Sequence, residues 1–393
     1  MGSQTSEAQG TRQGRAVKLL RATEEHDPAL AEFYRATWNP DATAEIVRQS
    51  RRAAAASNPV SPGEESPTFI FLQEGRILGH VGTIPVRVWS HGEEHPAHWV
   101  KGFWVLPEYR NGPIGFLVLR EALKNLDCAM ALTVLPVVVG LSVGLGFSDL
   151  GTIPNFIRIL HPAKLAYRLR LDELGFGGLP RALRTTISLF QRTGLASIGG
   201  LCLGGLTRVA IGMRGRFPGT LTVTLEVPRP SDLDQLWLRT RKTMSAGLVR
   251  DARYLTWRYL RKDSGDYRFV TVRKGNDLIA LAVVRRPTPD ADPRLRGITL
   301  APVSEWIFPL DESVAGLAAL AGAEQAAREL HADGIICSVS HPGAAPLLRR
   351  RGYWRGPPNV HLLIRDPAKS RALPSALSSW WVTRGDSYAD GAF

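Results

Sequence analysis

The chain has 393 residues, 44% hydrophobic and 22% charged, with a net charge of +13. That length exceeds one ordinary core, so two domains are the default, and the composition is that of a soluble globular protein. Three cysteines, Cys128, Cys202 and Cys337, stand far apart with no Cys-x-x-Cys and no Cys/His cluster, which argues against a disulfide framework and a zinc site and fits a reducing cytoplasm.

Residues 1–16 are polar and read as a disordered tail with no apolar leader. AVKLLRA then reads as a strand, followed by a helix from about Asp27 and a second helix over Ala44 to Ala56. A Pro/Ser/Gly-rich loop runs from Asn58 to Pro67. Thr68 to Leu72 and Ile77 to Trp89 form a hairpin around Glu74-Gly75. Trp99 to Leu106 is an apolar strand, Pro107 to Gly112 a turn, and a helix follows with Pro113 at its first position and Gly112 as N-cap. Leu117, Val118, Leu119 and Leu123 give that helix its apolar stripe. The free N–H groups of Ile114, Gly115 and Phe116 at its positive end, with Arg110 just outside, make a site for a phosphate group. Ala129 to Leu135 reads as the next strand, parallel to the first. From Ala129 to Phe147 there is no charge, so Val137 to Gly146 is expected to be a buried helix. TIPNFIRIL closes the domain as a strand.

Val105, Pro107, Arg110 and Gly115 fall on the pattern V-x-P-x-x-R, two residues, Gly, one residue, Gly or Ala. They resemble the acyl-CoA-binding motif of the GNAT N-acetyltransferase superfamily. Pro113 stands where the first motif glycine falls, with Gly112 one place early. The resemblance implies that the loop Arg110, Asn111, Gly112, Ile114, Gly115 and Phe116 grips the CoA pyrophosphate. It also implies that the strand ending at Val105 and Leu106 holds the pantetheine arm and polarises the acyl carbonyl by main-chain groups.

Residues 161–216 hold nine Lys/Arg against two Asp/Glu, an excess of +7. An anionic partner, a membrane surface and a merely solvated basic linker all fit that excess. Aromatics are not interleaved with those arginines, so no nucleic acid is expected. Two helices are expected there, one over Pro180 to Gln191 and a weaker one around Leu206. From Leu221 the pattern of the first domain recurs. Gly275 follows Gly75 by 200 residues (275 − 75), Pro309 follows Pro107 by 202 (309 − 107), and Gly352 follows Gly146 by 206 (352 − 146). The second copy places Asp311 and Glu312 before its helix, where the first has Arg110 and Asn111, and those carboxylates repel phosphate.

The expected fold is therefore α/β, in the α+β sense: two GNAT folds in tandem, each a mixed, mostly antiparallel sheet flanked by helices. The expected divisions are 1–16 tail, 17–163 acyl-CoA domain, 164–217 basic helical linker, 218–366 degenerate second domain, and 367–393 C-terminal tail. Tyr254 to Tyr259 (YLTWRY) and WWVTRGDSYAD resemble segments of bacterial tandem GNAT proteins associated with polysaccharide or envelope clusters.

Acyl transfer from a thioester to an amine needs a polarised carbonyl, a neutral amine, a leaving thiolate and close positioning. In the family a tyrosine four residues before a Gly-Phe often serves as acid; here Ser142 stands at that place, and a small residue packing at a helix turn is the alternative. His98 has a suitable unperturbed pKa for a base, though a lone strand histidine is often structural. Glu305 is a second candidate. Tyr254, Trp257 and Arg258 form a candidate acceptor pocket, or a core aromatic pair with a snorkelling arginine. The leading reading is a cytoplasmic N-acyltransferase using acetyl-CoA or a longer acyl-CoA, with no metal, on a small-molecule amine such as an amino sugar. Two further readings stay open. One is a non-catalytic binding or scaffold protein, and the other is an envelope aminoacyltransferase using charged tRNA. Peripheral membrane contact is assigned, if anywhere, to the basic linker.

Overall fold

The computed structural model describes residues 17–164, 219–261, 266–288, 297–367, 373–387 and 390. The expected tail over 1–16 lies outside the described residues, as do the helices expected over Pro180 to Gln191 and around Leu206. The described chain forms a mixed, mostly antiparallel sheet flanked by helices, with fourteen strands among the described residues. By contacts it divides into two compact units. One is Met1–Ala55, Glu65–Ile84 and Val100–Leu126; the other is Ala56–Glu64, Pro85–Trp99 and Asp127–Phe393.

In the first unit, β1 (Val17–Arg21) pairs antiparallel with β2 (Thr68–Gln73), and β2 with β3 (Arg76–Ser90). Glu74 and Gly75 join β2 to β3 with φ of 50° and 78°, the left-handed pair that a two-residue hairpin requires. β4 (Glu93–Val105) follows β3 in the sheet order. It starts six residues before the expected Trp99, because the polar run before it still alternates in and out on an extended strand. α1 (Asp27–Thr37) buries Leu30, Ala31 and Phe33. α2 (Ala44–Ser57) supplies Arg51, which ion-pairs with the buried Asp27 at the start of α1 at 2.6 Å. α3 (Ile114–Lys124) buries Ile114, Val118, Leu119, Ala122 and Leu123. A Cβ on Gly79 of β3 would stand 2.8 Å from Ile114 Cγ2, so a side chain there would hold α3 off the sheet.

In the second unit, the start of β4 runs parallel to β5 (Ala129–Thr133) through His98↔Ala129 and Trp99↔Met130. α4 (Pro136–Gly144) and β6 (Ser148–Ile159) follow. Next come β7 (Leu221–Thr224), α5 (Pro230–Thr240), β8 (Ala246–Leu248), α6 (Ala252–Tyr259), β9 (Tyr267–Lys274) and β10 (Asp277–Arg285). After these come β11 (Leu300–Ile307), α7 (Ser313–Glu329), β12 (Gly334–Ser338), α8 (Ala344–Arg350), β13 (Trp354–Arg365) and β14 (Trp380–Trp381). The strand order is β5-β13-β6-β12-β11-β10-β9-β7. β11 and β12 are parallel, while the pairs of β6 with β12 and of β13 with β5 are antiparallel. The strand after α4 thus lies beside β12, and the strand after α8 lies beside β5. The sequence pattern gave no sign of this exchange, because each strand's apolar alternation suits either neighbour.

Alanine and glycine let α7 lie close on the sheet: a Cβ on Gly322 would meet Val223 Cγ1 at 2.8 Å, and one on Gly316 would meet the Phe308 ring at 2.7 Å. α7 buries eleven of its residues against a core that includes Trp306, Phe308 and Trp381. α4 is the opposite case. It was expected to be buried, yet Ser142 is its one buried residue and Val137 is 77% exposed. Lack of charge marked this segment as apolar, not as covered. α4 and α8 end alike: Gly146 and Gly352 have φ of 89° and 78°, and Phe147 and Tyr353 donate back to the carbonyls of Ser142 and Leu348 at 3.1 and 3.0 Å. These are glycine-closed helix ends in which the left-handed residue satisfies orphan carbonyls.

Candidate functional site

The chain leaves β4 through Leu106, whose N–H donates to Leu78 O at 3.0 Å. One 3-10 turn over Pro107–Tyr109 reverses it, and the Gly112 N–H closes onto Tyr109 O at 3.1 Å. Pro113 takes the N-cap position and Ile114 is the first helical residue. α3 therefore starts one residue later than the sequence suggested, and Gly112 lies outside the cap. The first N–H to find a helical acceptor is that of Leu117, which donates to Pro113 O at 2.9 Å. Among the described residues no acceptor takes the N–H groups of Ile114, Gly115 and Phe116, and Asn111, Gly112, Pro113 and Phe116 are exposed. Arg110 is exposed, and its Nε donates to Val105 O at 3.2 Å, so the guanidinium is tethered to the end of β4. Glu108, the one carboxylate in the turn, is paired with Arg76 at 2.8 Å. The result is a positive, solvent-facing end of a helix with three spare donors and a fixed cation.

Gly115 has a packing role that the motif hid. A Cβ there would stand 3.2 Å from Phe103 Cζ and 3.5 Å from Val105 Cγ2, so glycine lets the first turn of α3 lie against β4.

The structure brings Val105, Leu106, Arg110, Asn111, Gly112, Ile114, Gly115 and Phe116 together in the first unit. The other sequence candidates lie in the second unit. His98 is half-buried on β4; burial holds its imidazole below the usual histidine range, against the pull of Asp127. Ser142 is buried in the last turn of α4, and its carbonyl accepts from Leu145 and Phe147 at 2.9 and 3.1 Å.

Glu305, Tyr254, Trp257 and Arg258 are all interior. Arg258 donates to Asp390 Oδ1 at 2.7 Å, Tyr267 Oη at 2.9 Å and Gly385 O at 3.1 Å. Glu305 accepts from Arg250 Nε at 2.8 Å and Tyr259 Oη at 2.9 Å. Asp386 takes both of its close contacts with Arg250 through Nη2, at 2.7 and 2.9 Å. Three buried arginines (Arg250, Arg258, Arg384) thus accompany three buried carboxylates (Glu305, Asp386, Asp390); Arg250 and Arg258 pair with them directly, while Arg384 donates to Ser338 Oγ at 2.7 Å and Asn155 Oδ1 at 3.1 Å. A balanced set of this kind is what burial demands of charge.

Half of that set comes from the C-terminal segment, which was expected to be a tail and is part of the core. Its path starts at the end of the β11–β12 ladder. Gly385 N–H donates to Ser304 O at 3.0 Å and Trp381 Nε1 to Trp306 O at 3.1 Å on the β11 side. On the β12 side Ser340 N–H donates to Val382 O at 3.1 Å, and Val339 bridges Thr383. The backbone past the parallel pair is therefore occupied by the protein's own chain. Nor does the start of α7 match that of α3: the N–H groups of Ala315 and Gly316 both reach Glu312 O, at 3.0 and 3.3 Å.

Sequence reasoning missed one cluster in the first unit: Tyr34, His80 and Gly102. The available signal was a histidine inside the apolar strand RILGHVGTI. Among the described residues no group of His, Cys, Asp and Glu is placed to hold a metal ion, and no helix is long and apolar enough to cross a membrane.

No family profile and no curated protein matches the chain. Solved structures do. A GCN5-related N-acetyltransferase from Anabaena variabilis aligns over 92% of this chain and 75% of its own, at 10% identity and a TM-score of 0.56. One from Kribbella flavida aligns over 89% and 71%, at 14% identity and 0.52. Saccharomyces cerevisiae N-myristoyltransferase with bound myristoyl-CoA aligns over 93% and 87%, at 10% identity and 0.54. With its mixed sheet and flanking helices, this chain is similar in fold to the GCN5-related N-acetyltransferases.

Proposed function

We propose that the chain is an N-acyltransferase that takes an acyl group from acetyl-CoA, or a longer acyl-CoA, to a small-molecule primary amine such as an amino sugar. The observation that carries this reading is the open end of α3. Among the described residues three donors without an acceptor lie there beside the exposed, tethered Arg110, and Glu108 in the same turn is already paired. That set fits a pyrophosphate, which offers only acceptors and negative charge. Bound acyl-CoA supplies the activated acyl group. Arg110 and the amides of Ile114 to Phe116 hold its phosphates, and the pantetheine arm runs along the end of β4 near Val105; the Leu106 N–H is already taken by Leu78 O. Glu305 and Arg258, both interior and ion-paired, serve the fold.

The reading includes a tandem origin and a cytoplasmic setting. The element order β1-α1-α2-β2-β3-β4-α3-β5-α4-β6 recurs as β7-α5-α6-β9-β10-β11-α7-β12-α8-β13, with β8 added. The second copy has given up its acyl-CoA site to Glu312 and the C-terminal segment. Cys128 and Cys337 are buried and free, as a reducing compartment allows.

The test is release of CoA thiol from acetyl-CoA on addition of glucosamine and other primary amines. Amine-dependent release that disappears in Arg110→Glu supports the proposal. A folded wild-type protein that neither binds acetyl-CoA nor releases thiol contradicts it.

A further inference from the structure

His80 reaches the interior of the first unit on the face of β3 opposite Gly79, which meets α3. Both of its ring nitrogens are engaged. Nδ1 lies 2.6 Å from Gly102 O, and Nε2 lies 3.0 Å from Tyr34 Oη. A carbonyl oxygen only accepts, so Nδ1 carries the hydrogen. Burial pulls the imidazole down to about 4, so the ring is neutral at neutral pH and Nε2 is a bare acceptor. Tyr34 must then give its single hydroxyl hydrogen to Nε2. Burial also pushes the Tyr34 phenol up to about 12, which keeps that hydrogen in place. Toward any third group, Tyr34 Oη can only accept.

Trp38 stands one turn further along. Its ring centroid is 5.1 Å from that of Tyr34 at an interplanar angle of 53°, and it is 54% exposed. The Trp38 indole, half in water and packed on the half-buried Tyr34 ring, is an amphipathic face that a ligand can cover. Both residues sit at the C-terminal end of α1, where the helix dipole favours positive charge. Arg35, the cation in the same turn, is directed to Ala42 O at 2.7 Å, and Arg51, the cation felt most by Tyr34, is paired with Asp27 and Glu65. An oxygen that can only accept, an exposed indole face and a negative helix end together suit a group that is all donor and positively charged, which is a primary ammonium.

The geometry points to Tyr34 Oη and Trp38 as the subsite that receives the primary ammonium group of the acyl acceptor, with a ring in the acceptor's body lying on the indole. This assignment rests on the acyltransferase reading above, and it makes Tyr34 a residue that selects the acceptor. His80 is a positioning residue that fixes the polarity of Tyr34.

The probe pair is 2-phenylethylammonium and 2-phenylethyl methyl ether, the same body with and without donors and charge. Each is titrated into the full-length protein while the indole N–H signal of Trp38, assigned with Trp38→Phe, is followed by NMR. The wild type should saturate with the ammonium at a concentration at least tenfold lower than with the ether. Tyr34→Phe should remove that preference and leave acetyl-CoA affinity within twofold. Equal response to both probes, or a preference that survives Tyr34→Phe, overturns the assignment. A second measurement needs no variant: the long-range ¹H–¹⁵N spectrum of the wild type should show His80 as the neutral Nδ1–H tautomer at pH 7, and an Nε2–H tautomer or an imidazolium overturns the polarity argument. Ammonium preference without any acetyl-CoA binding would remove the acyltransferase reading and keep the subsite; acetyl-CoA binding without the preference would do the reverse.

Discussion

Replacing Asp390 by alanine tests whether the C-terminal segment belongs to the core. In the native chain Asp390 Oδ1 accepts from Arg258 Nη2 at 2.7 Å, and Oδ2 accepts from Tyr267 Oη at 3.0 Å and Ser304 Oγ at 2.7 Å. Arg258, Ser304 and Asp390 are all essentially inaccessible. Asp390→Ala takes the 2.7 Å charged contact from the guanidinium and the acceptor from two hydroxyls. Breaking a buried pair from one side costs about 3–5 kcal/mol, because the surviving charge stays buried after losing its carboxylate. Against a total stability of about 5–15 kcal/mol, that is a large loss. Denaturant unfolding of the variant should show it as a lower midpoint with little change in slope. The double variant Arg258→Met/Asp390→Ala removes both charges, so it should be more stable than Asp390→Ala alone by about 1 kcal/mol or more. A single variant that loses less than about 1 kcal/mol, or a double variant that loses the sum of the two single effects, would refute this placement. It would also reopen Arg258 as a group available to an acceptor.

Three further outcomes follow from the same geometry. Arg110→Glu swaps attraction for repulsion at the proposed phosphate site, worth about 3 kcal/mol, so acetyl-CoA affinity should fall roughly a hundredfold with the melting temperature unchanged; unchanged affinity removes Arg110 from the site. Gly115→Ala puts a methyl 3.2 Å from the far end of the Phe103 ring, which can shift by a few tenths of an ångström. Stability should therefore drop by no more than about 1 kcal/mol, and a drop of several kcal/mol would mean that β4 and α3 are packed without any give. His80 titrates at about 4 in the folded chain against 6.5 when free. The unfolded chain thus binds a proton that the native chain refuses between these values, and stability should fall by about 3 kcal/mol as pH drops from 6.5 to 4. His80→Gln should flatten that part of the profile, and an unchanged slope would show that His80 is not the group responsible.

Much of the fold was legible because its signals are local. The left-handed glycines at Gly75, Gly146 and Gly352 each close a hairpin or a helix by a rule that one residue satisfies. The loop from Val105 to Phe116 was legible for the same reason: a strand, a turn and a helix start lie within twelve residues. What escaped notice depends on partners distant in sequence. The exchange of β6 and β13 is a choice between neighbours that the alternation of either strand allows. The interior position of Arg250 and Arg258 was hidden because each is matched by a carboxylate far along the chain, and that of Arg384 because its partners Ser338 and Asn155 are equally distant in sequence, while charge alone suggests surface. Tyr34, His80 and Gly102 share no sequence window, so their hydrogen-bond chain appears only when α1, β3 and β4 are placed. α4 failed in the opposite direction: an uncharged stretch was taken to be covered, and it is exposed.

The central claim is one acyl-CoA site per chain, formed by Arg110 and the first turn of α3. Calorimetric titration of the full chain with acetyl-CoA tests it most directly. The account predicts saturable binding at a stoichiometry near one, because Asp311 and Glu312 immediately precede α7 and the C-terminal segment occupies the backbone beside Ser304 and Trp306. A stoichiometry of two would contradict the loss of the second site, and the absence of any binding by the folded chain would contradict the account as a whole.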